Sequence, residues 1–156
     1  MELKKLRKSK KITQQQAAKI CGISLRSYKT YENDISKKDT IKYAYLMDTL
    51  SEYNIIDEEH GVLDIEDIIK TCNEVFGKYD ISYCYLFGSY AKNKAIGNSD
   101  IDLLIGSSLS GIKYYGLIEE LRQKLKKKID ALSCDQLKNN MELTNEILKE
   151  GIKIYG

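Results

Sequence analysis

The chain of 156 residues has no Pro, no Trp, two Phe and a single His. No stretch approaches the roughly 18 uninterrupted apolar residues that a membrane helix requires. The charged segment Met1 to Lys11 also lacks the apolar core of a secretion signal. A cytoplasmic protein with no membrane partner is therefore expected. The four Cys, Cys21, Cys72, Cys84 and Cys134, are scattered without paired spacing. That removes support for a zinc site and leaves reduced, partly buried thiols. His60 is solitary within the acidic, Gly-containing stretch 54–61 and reads as a surface residue rather than a catalyst. The absence of Pro and the 12 Tyr carry no reading of their own. An apolar share of 42% is enough for two small folded cores.

What the chain does have is an uneven distribution of charge. Residues 1–42 carry 12 Lys/Arg against 4 Asp/Glu, a net of +8, whereas residues 43–156 carry 13 against 19, a net of −6. A basic N-terminal module joined to an acidic one points to a polyanionic partner for the first module alone.

The most informative stretch runs from Leu86 to Leu103. A β-rich apolar run, Ile81 to Phe87, ends at Gly88-Ser89, and Asp100 and Asp102 then open a second apolar run, Ile101 to Ile105. Residues i and i+2 of a strand point to the same face, so Asp100 and Asp102 present two carboxylates side by side. Two such carboxylates repel unless a cation sits between them, and hard oxygen donors suit Mg²⁺ or Mn²⁺. Gly88 permits a tight turn, and Ser89 can cap a short helix whose N–H groups face an anion. A nucleoside triphosphate fits both halves. Asp130, in the short apolar run after a basic helix, is the third candidate carboxylate, as a ligand of a second metal or as the acceptor of a hydroxyl proton. Asn98-Ser99-Asp100 is also good turn chemistry, which is the plainer account of those residues.

Gly88-Ser89, ten intervening residues, Asp100-Ile101-Asp102 and a later strand Asp at 130 together resemble the minimal nucleotidyltransferases of the DNA polymerase beta superfamily, over roughly residues 64–156. The resemblance implies magnesium-dependent transfer of a nucleoside monophosphate, with ATP as donor, to a hydroxyl. Asp100, Asp102 and Asp130 would be the metal-binding and catalytic residues, and Gly88, Ser89 and Lys92 would bind nucleotide. Where the family commonly has Arg-Gly after the Ala, this chain has Lys92-Asn93. Lys keeps the positive charge without the bidentate grip of Arg, and Asn tolerates a left-handed turn. Tyr83, Tyr85 and Tyr90 surround the motif and mostly read as core residues, with a place near the nucleotide left open for Tyr90. The basic run Arg122, Lys124, Lys126, Lys127 and Lys128 reads as a solvated helix end or as a surface for a triphosphate or an acidic partner.

In the basic module, Thr13 is an N-cap for a helix over Gln14 to Ile20, Cys21-Gly22-Ile23 breaks it, and Ser24 caps a second helix to about Asn33. Tyr28 and Tyr31 have core spacing, while Arg26, Lys29 and Thr30 face outward. Two short helices across a tight Gly turn form a helix-turn-helix. The stretch Ile12 to Glu32 resembles the phage-repressor, Cro-type family. That resemblance implies that Leu25, Arg26, Lys29 and Thr30 face DNA bases, that Gln14 reaches a phosphate or base edge, and that Glu32 supports structure. A homodimer on operator DNA is expected, because one short helix reads few base pairs.

The expected architecture is an all-α helix-turn-helix domain over 1–53, a linker over 54–63 and an α+β nucleotidyltransferase domain over 64–156. Strands are predicted near 81–87, 100–106 and 128–133 in a small mixed sheet with helices packed on one face. Helices are predicted over 64–79, 111–127 and 135–150, the closing helix ending in Gly151 to Tyr155 with no separate strand there. The combined resemblance implies an antitoxin that moves AMP from ATP to a tyrosine of a cognate HEPN-domain ribonuclease toxin and represses its own operon. Two other readings stay open: a nucleotide-sensing repressor without transfer, and a transferase acting on a small hydroxylated compound.

Overall fold

The computed structural model describes residues 2–156 and divides into two compact units, with the boundary between Ile55 and Ile56. The first unit contains α1 (Leu3–Ser9), α2 (Gln14–Ile20), α3 (Leu25–Asn33), a 3₁₀ turn (Ile35–Lys37) and α4 (Ile41–Glu52). Local chemistry sets its helix starts. Thr13 and Gln16 form a reciprocal capping box on α2, and the Ser24 hydroxyl accepts from the Ser27 N–H on α3. Leu3, Ala17, Ala18, Tyr28, Leu46 and Leu50 close the core between them. Tyr28 is fully buried and Tyr31, partly buried, packs against the same core, as their spacing requires.

One polar cluster is built into this small core. Arg7 donates from Nε to Glu32 Oε2 at 2.7 Å and from a terminal nitrogen to Glu32 Oε1 at 3.0 Å. Gln14 Nε2 donates to the same Oε1 at 3.0 Å. The Glu32 side chain is 0% exposed. Burial alone would raise its pKa, but the donors from Arg7 and Gln14 outweigh it and hold the carboxyl below the usual range.

The second unit runs through α5 (Ile65–Phe76), β1 (Ile81–Phe87), α6 (Gly88–Ala91), β2 (Ile101–Ser107), α7 (Gly111–Leu125), β3 (Ile129–Leu132), a 3₁₀ turn (Cys134–Leu137), α8 (Met141–Glu150) and β4 (Ile152–Tyr155). The sheet order is β3-β2-β1-β4, with β1 antiparallel to β2 and β4, and β2 parallel to β3. The crossover from β2 to β3 is α7, which suits the length a parallel pair needs. Cys84, Leu86, Ile101, Leu103 and Ile105 point to one face, where α5 and α7 cover them with Phe76, Leu117 and Leu121.

Three expectations are corrected here. Helices cover both faces of the sheet, because Phe87 and Leu104 make the second face apolar as well and α8 seals it with Leu143 and Ile147. The helix expected over 135–150 starts only at Met141: Asn139 adopts φ +66° and the Asn140 side chain caps α8 by accepting from Leu143 N–H. Ile152–Tyr155 forms a strand of its own, since Gly151 ends α8 and the alternating Ile-Lys-Ile-Tyr pattern pairs along β1.

Removing one member of a buried ion pair leaves the other unpaired. Glu32→Ala is therefore expected to destabilise the helical unit by about 3 kcal/mol. The measurement is amide hydrogen exchange over α1 to α3 in the full chain, which should accelerate while the sheet stays protected.

Candidate active site and nucleic-acid interface

The parallel register between β2 and β3 sets Asp102 directly opposite Asp130, with Ile101 opposite Ile129 and Leu103 opposite Ala131. Asp102 therefore shares its face with Asp130, Leu104, Tyr85 and Phe87. Asp100 stands just before β2 and is half-buried, while Asp130 is exposed. The structure thus brings Asp102 and Asp130 to one end of one sheet face, with Asp100 near enough for its charge to act on Asp102. The turn after β1 completes the arrangement. Gly88 has φ +72°, and a Cβ there would overlap the Asp102 carboxylate. Only glycine lets that turn lie against the carboxylate.

Electrostatics follow from this crowding. Burial first, and then the charges of Asp130, Asp100 and Glu146, push the Asp102 carboxyl up to about 6. Glu146, on α8, is a fourth carboxylate that sequence reasoning missed. No local pattern marks it, because its nearness to Asp102 depends on which sheet face α8 covers. Lys92 donates to Glu146 Oε1 at 2.6 Å, so its ammonium is held by α8 rather than free, and that partner holds its pKa up.

Among the described residues, no three His, Cys, Asp or Glu side chains converge on a single point. The donor set is an Asp pair in register with a third Asp at the strand mouth, not a closed cage. Such an open, hard-oxygen set fits Mg²⁺ or Mn²⁺, which use one or two carboxylates and complete their coordination with water and substrate phosphates.

One expectation in this region is corrected, and an open one is decided. Ser89 does not cap α6: Phe87 occupies the cap position and no side chain accepts there. Ser89 lies inside the first turn, because Gly88 already carries the reversal. Tyr90 is 2% exposed and belongs to the core shared with α5 and α7, so its ring is committed to packing. The basic run also divides. Arg122 and Lys124 pair with acidic neighbours, whereas Lys127 is fully buried.

On the helical unit, Arg26, Lys29 and Thr30 are exposed and Leu25 is half-buried. All four line one shallow depression on the outer surface of α3. Gln14 sits apart from them in bonding, held by Glu32 as described above.

Residues 66–156 match the family model for Polymerase beta, Nucleotidyltransferase, and residues 3–42 match the Helix-turn-helix model. A Methanocaldococcus jannaschii chain assigned as a protein adenylyltransferase is 29% identical over 94 residues, covering 59% of this chain and 99% of that one. A solved toxin-antitoxin structure with AMP-PNP has 22% identity and a TM-score of 0.47, covering 56% of this chain and 73% of the other. A tri-AMPylated Shewanella oneidensis HEPN toxin in complex with MNT antitoxin gives 19% identity and a TM-score of 0.43, over 57% and 70%.

The raised pKa of Asp102 has a direct consequence for stability. A carboxyl that holds its proton more tightly when folded stabilises the fold fully below the ordinary value of 3.8, and that contribution disappears as pH rises through about 6. With chelator present, Asp102→Asn is expected to be more stable than wild type at pH 8 and nearly equal to it at pH 4. Urea midpoints at the two pH values check this.

Proposed function

We propose, since this chain belongs to the Polymerase beta nucleotidyltransferase family, that it is a magnesium-dependent protein adenylyltransferase acting as an antitoxin, and that its helix-turn-helix represses its own operon. The observation that carries the chemistry is the pairing of Asp102 with Asp130 in register beside the Gly88 turn. The Methanocaldococcus jannaschii relative, aligned over 99% of its length, supports a protein as acceptor.

In this reading Asp100 and Asp102 would hold Mg²⁺, and the Gly88-Ser89 turn receives the phosphates. The metal supplies charge that stabilises the phosphoryl oxygens and the leaving pyrophosphate. The acceptor is a tyrosine hydroxyl of a cognate HEPN-domain toxin, whose free pKa is about 10. Its oxygen forms a bond to the α-phosphorus of ATP as the bond from that phosphorus to the bridging oxygen breaks. The electron pair leaves on pyrophosphate, and the hydroxyl proton passes to Asp130. Lys92 exchanges Glu146 for a phosphate oxygen. As a point charge it orients the triphosphate less tightly than a bidentate Arg would.

The basic helical unit acts as a homodimer on operator DNA. Arg26 and Lys29 supply charged contacts, and Leu25 and Thr30 complete the reading surface in the major groove.

Two measurements test these assignments. Incubation with Mg²⁺, ATP and the product of the adjacent gene, followed by intact mass, should add one adenylate to that partner. Asp130→Asn should slow the transfer by about 10²–10⁴-fold, and the double change Asp100→Asn/Asp102→Asn should abolish it. Transfer that survives the double change refutes the site. In a titration against the promoter DNA of its own operon, Arg26→Ala and Lys29→Ala should each weaken binding by about 1–3 kcal/mol while leaving transfer intact.

A further inference from the structure

Lys127 is wholly buried, at 0% exposure. Its ammonium is met by carbonyl oxygens: it donates to Gly97 O at 2.6 Å and to His60 O at 3.0 Å. Burying a cation is costly, and here its partners are dipoles rather than an opposing ion, which lowers its pKa through burial. The two carbonyls it joins belong to segments far apart in sequence. One is the turn Asp57–Gly61, itself closed by Asp57 N–H donating to His60 O at 3.0 Å and by the Asp57 carboxylate accepting from Glu59 and His60 N–H. The other is the loop that leads into Asp100.

That loop is short and internally tied, with Ser99 N–H donating to Ile96 O at 2.9 Å and Ile96 N–H donating to Ser99 Oγ at 2.8 Å. It also packs tightly on the turn, since a Cβ on Gly97 would stand 2.9 Å from the Glu59 carbonyl oxygen. On the far side of Asp100, Ile101 N–H donates to Lys128 O at 2.9 Å. Asp100 is therefore suspended between two anchors supplied by consecutive residues, Lys127 through its side chain and Lys128 through its backbone. Two residues later the same segment delivers Asp130 opposite Asp102. Lys126, in the left-handed region at φ +57°, ends α7 and makes the reversal before Lys127.

We infer that Lys127 is a positioning residue for the transferase site, clamping the Asp57–Gly61 turn onto the 96–99 loop and so fixing Asp100 relative to Asp102 and Asp130. The inference rests on the adenylyltransferase reading above for its chemistry, but not for its geometry. Lys127 acts at a distance: it touches no substrate, and its two hydrogen bonds set the backbone from which a carboxylate projects. An outer contact of this kind governs how well ligands converge.

The test uses the full chain and two independent variants. Lys127→Met removes the donors, and Gly97→Ala wedges the loop away from the turn while leaving Lys127 in place. Both should keep the wild-type circular dichroism spectrum. Hydrogen exchange should accelerate about tenfold over 57–61 and 96–101, with β1 and α5 peptides unchanged. Mn²⁺ affinity, read by electron paramagnetic resonance, and kcat for pyrophosphate release should each fall about tenfold, with KM for ATP within about twofold of wild type. Lys127→Arg, which retains donors, should recover part of the loss. If Lys127→Met does not fold, Gly97→Ala decides. Unchanged loop exchange, or faster exchange with Mn²⁺ affinity intact, overturns the inference. A wild-type chain that releases no pyrophosphate refutes the transferase reading alone, and exchange together with Mn²⁺ affinity still decides the clamp.

Discussion

Like charges held one strand spacing apart are the constraint around which the second unit is arranged. Asp102 and Asp130 lie opposite each other in a parallel pair, with Asp100 at the strand mouth and Glu146 on the covering helix. In low dielectric such a cluster opposes folding unless something neutralises it. The surrounding structure keeps the carboxylates together despite that. The apolar sheet beneath them is covered on both faces, Gly88 leaves room for the Asp102 carboxylate, and the 126–130 segment holds the loop and strand that carry the other two.

Lys residues meet three different fates in this unit, and burial separates them. Lys124 pairs with Glu120 on the surface of α7, a contact screened by water. Lys92 is half-buried and held by Glu146 close to the carboxylates. Lys127 is wholly enclosed and bonded to carbonyls. The same residue type thus stands as a solvated charge, a half-buried partner of a carboxylate and an enclosed donor to two carbonyls. The helical unit treats its charges likewise: Arg7 and Glu32 are spent inside, on holding three short helices together, while Arg26 and Lys29 are left outside on α3.

Much of this was legible in the chain. Capping residues are local signals, so Thr13 and Ser24 located the starts of α2 and α3. The alternating run 81–87 and the pattern Gly88-Ser89 to Asp100-Ile101-Asp102 located the turn and the carboxylate strand, because side-chain period and glycine freedom are properties of a few consecutive residues. The errors lay where a local pattern had to be arbitrated by distant partners. Ile152–Tyr155 needed β1 as a neighbour to be a strand, and Ser89 was displaced from the cap by the reversal at Gly88.

By itself, then, the sequence determined that there are two modules of opposite charge, that the first is a helix-turn-helix, and that the second carries acidic residues at the opening of a strand. These follow from composition, caps and short-range periodicity. Only the tertiary structure decided that Asp130 stands opposite Asp102, that Glu146 joins them from α8, that Tyr90 is committed to the core and that Lys127 lies inside. Those facts depend on strand register and on which face each helix covers, and a pairing between residues tens of positions apart leaves no mark on the neighbours of either.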